Sequence, residues 1–375
     1  MRTGLVSGRS RRSCTLELVA GILLLVSCNR SHSPMPSAVP TPSGSPDMNS
    51  RPAPAPTTTT PSSGPPTGYT LTSVPASAAL PQDALPMDLD PGTGHILLSS
   101  YSTGLLELSW PSAQTAPTIN RAWKTDVVGN PGEARYGASS SIYVNIHGQG
   151  LGKVTDQGVS VVHTADGLVN ADLLDILVRS NGDVWVVGVP NPFGGGSGLQ
   201  ILVNDHPSAL VPTAGFDVTT LRSTLDMPDR QSVFAATAAG VVELNAAGLI
   251  AKLSQPGRVT RLRRQPGSGA AALGAVGAGV ERWDGKQFSV VTDPFRLPPT
   301  SGSSWDPQDL GIAPNGNWVI LCADGVLSVV DPTGVFLGQF DMSSGVPPSA
   351  QRLLVLADGR RILVGGQQGS ALLSW

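Results

Sequence analysis

Seven glycines, Gly104, Gly150, Gly198, Gly240, Gly279, Gly325 and Gly369, recur through this chain at steps of 46, 48, 42, 39, 46 and 44 residues. The mean is about 44, a period in the range of four-stranded units that stack into a ring. The pattern around each glycine has a fixed order: an apolar strand, a tight polar turn, a second strand, the glycine and a third strand. The turns include 90–94 (DPGTG), 180–183 (SNGD), 313–317 (APNGN) and 357–360 (ADGR). Their Asn-Gly, Asp-Gly and Pro-containing steps supply the backbone angles that hairpins require. The strands that follow are β-branched and aliphatic, as in Val184-Trp185-Val186-Val187 and Ile362-Leu363-Val364. With 44 glycines and 33 prolines the chain is turn-rich and helix-poor.

A fourth strand follows in most units, as at 159–163, 249–253, 288–292 and 335–340. The last unit has none after its third strand, which ends at Trp375. An unpaired edge is a liability. Residues 69–74 (YTLTSV) belong to no other unit and are expected to supply the missing outer strand. The expected fold is all-β: a seven-bladed β-propeller of four-stranded blades over residues 68–375.

The N-terminus has a different grammar. Arg2, Arg9, Arg11 and Arg12 precede the uncharged run 18–26 (LVAGILLLV), which is too short to span a bilayer. It ends in Leu25-Val26-Ser27-Cys28, which resembles the lipobox of bacterial lipoproteins. The resemblance implies a signal peptide at 1–27, cleavage before Cys28 and acylation of its thiol and amine. Several acyl chains anchor far more firmly than one. Asn29 takes the place where an aspartate tends to retain lipoproteins at the inner membrane, so the outer membrane is favoured. Residues 28–67 are rich in Pro, Ser and Thr, including 51–61 (RPAPAPTTTTP). Such a composition cannot bury a core and is expected to form a disordered tether.

The third unit carries Asp166-Gly167-Leu168-Val169-Asn170, Asn181-Gly182-Asp183-Val184-Trp185 and Gly198-Leu199. This resembles the propeller repeat of two-component regulators, in which the propeller senses or binds while a kinase elsewhere does chemistry. The resemblance covers one repeat well and implies fold rather than activity, with Trp185 packing a blade and Gly182 making a turn.

Removing 1–27 takes four arginines and Glu17, leaving 20 basic against 26 acidic residues. That balance argues against nucleic acid. The histidines have no paired spacing for a metal, and the chain has no Cys-x-x-Cys, no nucleophile elbow and no phosphate loop. Cys322 lies in an apolar strand and reads as a buried, inert thiol. No cofactor is expected. Residues expected around the channel mouth are Asp83, Glu133, Asp172, Asp217, Arg258, Asp306, Gln351 and Arg352, with loop residues His147, Gln367 and Gln368. Segment 190–197 (PNPFGGGS) lengthens one loop, and its Asn191 and Phe193 join His147, Gln367 and Gln368 as candidate binding residues. The expected function is that of a monomeric, lipid-anchored, non-catalytic module of the cell envelope that binds a protein or glycan. The alternative is a propeller enzyme of gluconolactonase or glycan-lyase type with a metal at the channel mouth.

Overall fold

The computed structural model describes residues 64–188, 196–254, 258–264, 271–276, 279–292, 307–322 and 324–375. Among them, 28 strands form seven four-stranded antiparallel sheets. The first strands of the sheets are β2 (Leu85–Leu89), β6 (Pro131–Tyr136), β10 (Leu173–Val178), β14 (Ser223–Met227), β18 (Arg258–Arg264), β22 (Pro307–Ile312) and β26 (Ala350–Val355). Each lies beside the next in a closed ring, from β2 against β6 round to β26 against β2. Three further strands complete each blade outward. Neighbouring blades meet through apolar layers: Leu97 and Leu105 pack against Ala134, Val144 and Ile146, and Phe234 packs against Trp283 and Phe288. Each buried Leu, Ile, Val or Phe among them contributes roughly 1.5–3 kcal/mol over an exposed one.

Two of the repeated glycines, Gly104 and Gly150, answer a steric need. Gly104 opens β4 (Gly104–Ser109) at φ +106, and a Cβ there would lie 2.1 Å from the carbonyl oxygen of Trp123, at the end of β5 (Thr118–Trp123). Gly150 opens β8 (Gly150–Thr155) at φ +126 and would meet the Val162 carbonyl at 2.3 Å. The end of the fourth strand crosses over the glycine, so the position tolerates neither a side chain nor its preferred backbone angle. Gly325 departs from the pattern, sitting in the turn ahead of the third strand Leu327–Val330.

Closure uses the first strand in chain order. Strand β1 (Thr70–Val74) pairs antiparallel with β28 (Gly369–Ser374), from Thr70 opposite Ser374 to Val74 opposite Ser370. Tyr69 packs its ring 5.7 Å from that of Trp375, and its hydroxyl accepts a hydrogen bond from Asn317 Nδ2 at 2.6 Å. The tether expected to run through residue 67 gives way to packed chain earlier. Pro66 is buried, and the Gly64 carbonyl accepts the Gln339 N–H at 3.1 Å on β25 (Phe336–Phe340). Gly338 allows this approach, because a Cβ there would stand 2.7 Å from Gly64 O and Pro66 N. Among the described residues no helix is long and apolar enough to cross a membrane.

Candidate binding face and central charge network

The inner strands interrupt their apolar pattern with charge. Glu133 is buried and ion-paired with Arg135 on its own strand and with Arg352 from β26. Arg135 also stands 3.6 Å from Asp175 of β10 and donates to the Met87 carbonyl at 2.9 Å. Asp309 of β22 accepts Arg263 at 2.6 Å and faces Arg261 at 3.8 Å, both on β18. With Asp88, this makes four carboxylates against four guanidiniums in the centre of the ring. Burial alone would lower the Arg135 guanidinium, but Glu133, Asp88, Asp175 and Asp309 around it raise it above its ordinary value. Burial raises the Asp88 and Asp175 carboxyls despite Arg135 beside them. It also lowers Arg263, which Asp309 only partly offsets.

The same carboxylates stitch blades together. Asp88 Oδ2 accepts the Tyr136 N–H at 2.9 Å, Asp175 Oδ2 the Thr224 N–H at 2.6 Å, and Asp309 Oδ2 the Leu353 N–H at 2.9 Å. In each case an aspartate at a bulge of one inner strand caps the backbone of the next. The carboxylates of the channel are therefore committed to arginines and backbone donors. Among the described residues no group of three or more His, Cys, Asp or Glu is placed to hold a metal ion.

One end of the ring gathers the segments leading into the inner strands and the turns between second and third strands. Here Tyr101, after β3 (Ile96–Ser100), stacks on His147, after β7 (Ile142–Ile146), with ring centres 6.0 Å apart and planes 19° apart. Both are exposed, Tyr101 by 43%. The pair is braced from both sides. Asp172, ahead of β10, lies 3.5 Å from His147 Nδ1 and accepts the Gly148 N–H at 2.8 Å. Asp83, ahead of β2, accepts the Ser100 hydroxyl at 2.7 Å and the Ser102 N–H at 2.8 Å. Burial would raise the Asp83 carboxyl, but the hydrogen bonds from Ser100 and Ser102 outweigh it and hold it below its ordinary value. The result is a fixed aromatic platform with one imidazole able to donate or accept, which suits contact with a ligand.

Of the residues expected at the mouth, Asp83, Asp172 and His147 come to this face. Glu133 and Arg352 do not stand at the mouth: they are inside the channel and bound to each other. Asp217 is used locally, its carboxylate accepting the Thr219 N–H at 3.0 Å and hydroxyl at 2.6 Å. Arg258 opens β18, and Gln351 lies exposed on β26. Gln367 and Gln368 are exposed in the turn before β28, with the first blade between them and His147. Cys28, Asn191, Phe193 and Asp306 lie outside the described residues. Sequence reasoning missed Asp88, Arg135, Asp175, Arg261, Arg263 and Asp309, and also Tyr101. A charged residue inside each apolar inner strand, returning at the glycine interval, was the available signal for the first group. Trp185 and Cys322 are buried as expected.

No protein-family model matches the chain, and no curated protein matches it. Among solved structures it is similar to one described as the extracellular domain of a hybrid two component system from B. thetaiotaomicron. The TM-score is 0.60 at 12% identity, covering 82% of this chain and 41% of that one. The chain thus spans about two fifths of the length of that neighbour. The likeness is one of fold, and with the ring of blades it defines the chain as a β-propeller.

Proposed function

We propose that this propeller is a non-catalytic binding module of the bacterial cell envelope, lipid-anchored through Cys28, with a protein or glycan as ligand. The observation that carries the proposal is the exposed Tyr101–His147 stack, held by Asp83 and Asp172 on the loop face. Rigid aromatic surface fixed before binding loses little conformational entropy on contact. A channel whose carboxylates are bound to arginines favours recognition on this face over metal-assisted chemistry within. The fold neighbour is itself described as an extracellular domain, which accords with this role. The outer membrane is the preferred address, from Asn29 after Cys28.

Two measurements test the proposal. Immobilised full-length protein is exposed to solubilised envelope protein and to purified envelope glycan. A Tyr101→Ala, His147→Ala variant is expected to lose retention of the bound fraction. Retention unchanged by these substitutions would remove the loop face as the binding surface. For the anchor, labelled palmitate is expected to enter the wild-type chain and not Cys28→Ser, which should leave the membrane fraction. Incorporation in neither chain would sink the lipid anchor.

A further inference from the structure

A cavity of about 480 Å³ opens on the loop face where the ring closes. Its lining includes the cross-strand pair Val74 and Ser370, contributed by β1 and β28. Met342, Val346 and Pro347 line it from the segment leading into β26. Gln82, ahead of β2, and Gln368, ahead of β28, add two amide side chains. None of the described residues lining the cavity is charged. Ser370 is only 6% exposed, and its hydroxyl oxygen is buried with no hydrogen-bond partner.

We propose that this cavity binds an extended, uncharged polypeptide segment, seating one aliphatic or proline side chain against Val74, Met342 and Pro347. The proposal rests on the reading of the propeller as a binding module and narrows it to one occupant. Three features of the lining select that chemistry. A glutamine amide donates and accepts at once, as a peptide unit does, so Gln82 and Gln368 match a backbone in either direction. A charged ligand would give up hydration here without meeting an opposite charge. An uncharged lining of apolar and polar side chains in near-equal measure offers both van der Waals contact and hydrogen bonds to one ligand. The buried Ser370 hydroxyl is the polar group left waiting for a partner. Because Val74 belongs to β1, the cavity exists only in the closed ring.

The test is calorimetric titration of the full chain with a capped, uncharged nonapeptide repeating threonine, proline and valine. The same peptide with glutamate for valine, and N,N′-diacetylchitobiose, are titrated in parallel. The neutral peptide is expected to bind saturably and the acidic one not at all. Gln368→Glu and Met342→Lys change exposed side chains, so the fold is kept, and each is expected to weaken the neutral peptide about tenfold or more. No binding of the neutral peptide, equal affinity in both variants, or saturable binding of the disaccharide alone would each overturn the proposal. The broader reading is separable. If Tyr101→Ala, His147→Ala loses envelope retention while Gln368→Glu and Met342→Lys keep it and the peptide does not bind, the face binds ligand and this cavity does not.

Discussion

Arg352 and Glu133, 219 positions apart in the chain, meet as an ion pair across the channel. The pair joins the last complete inner strand to the second, and Arg135 stands on the same carboxylate. Breaking one member of a buried pair costs more than replacing both with apolar groups, because the survivor keeps its charge without a partner. Glu133→Gln is therefore expected to destabilise the propeller by about 3 kcal/mol, since two guanidiniums then lose the negative charge they share. Denaturant unfolding checks this, and a loss below about 1 kcal/mol, the range of exposed pairs, would contradict a structural role for the network.

One of the repeated glycines, Gly104, and the unrelated Gly158 allow a controlled comparison. Gly104 and Gly158 both have positive φ, at +106 and +133. A Cβ at Gly104 would meet backbone at 2.1 Å, whereas one at Gly158 would meet nothing within 4 Å. Gly158→Ala carries backbone strain alone, roughly 1–3 kcal/mol. Gly104→Ala adds a collision with the end of β5 and is expected to cost at least about twice as much. Equal losses of thermal stability in the two variants would show that the fourth strand can move aside.

Glu281, on the third strand Gly279–Trp283 of the fifth blade, predicts a pH dependence. It is 3% exposed, and its Oε2 is buried without a hydrogen-bond partner. Burial raises its carboxyl from the ordinary 4.5 to about 7. The folded state then holds a proton that the unfolded chain has released. The carboxyl's contribution is fully present below about pH 4.5 and is lost as pH rises to about 7, where it levels off. The span corresponds to about 3 kcal/mol. Glu281→Gln keeps the shape without the titration, so its stability relative to wild type should grow across that window. A difference that stays constant between about pH 4 and pH 9 would refute this.

Ring closure depends on a short strand and one aromatic contact. Tyr69 joins Trp375 and Asn317, and β1 covers the open edge of β28. Tyr69→Ala removes the ring contact and the hydrogen bond together and is expected to cost about 3 kcal/mol. Deleting 68–75 should cost more and expose β28 to self-association, visible as lowered thermal stability and concentration-dependent aggregation. Unchanged stability after the deletion would mean that the ring does not need β1.

The legible part of the fold was the part written in neighbouring residues. Gly104-Leu105-Leu106-Glu107-Leu108 shows its strand, its close-approach glycine and its buried face within five positions. The third-unit Asp-Gly and Asn-Gly steps mark turns at the residues where the chain reverses. The candidate site was legible only in part. His147 and Asp172 could be chosen as loop residues, but nothing local says that Tyr101 of another blade stacks on His147. Glu107 and Glu281 also read alike as strand glutamates. Yet Glu107 accepts Arg121 at 2.6 Å and Glu281 has no such partner, a difference set by packing.

The sequence by itself determined the repeat, the order of strand and turn within each unit, and the need for an outer strand to finish the last one. These follow from recurring glycines, β-branched runs and turn chemistry, which act over a few residues. Only packing in three dimensions brings Glu133 to Arg352, sets Asp309 as a cap on Leu353, and places Val74 and Ser370 together in the lining of a cavity. Those contacts arise because the ring brings residues far apart in sequence to one centre and one face. There, charge and hydrogen bonding are fixed by distance in space, which local patterning does not encode.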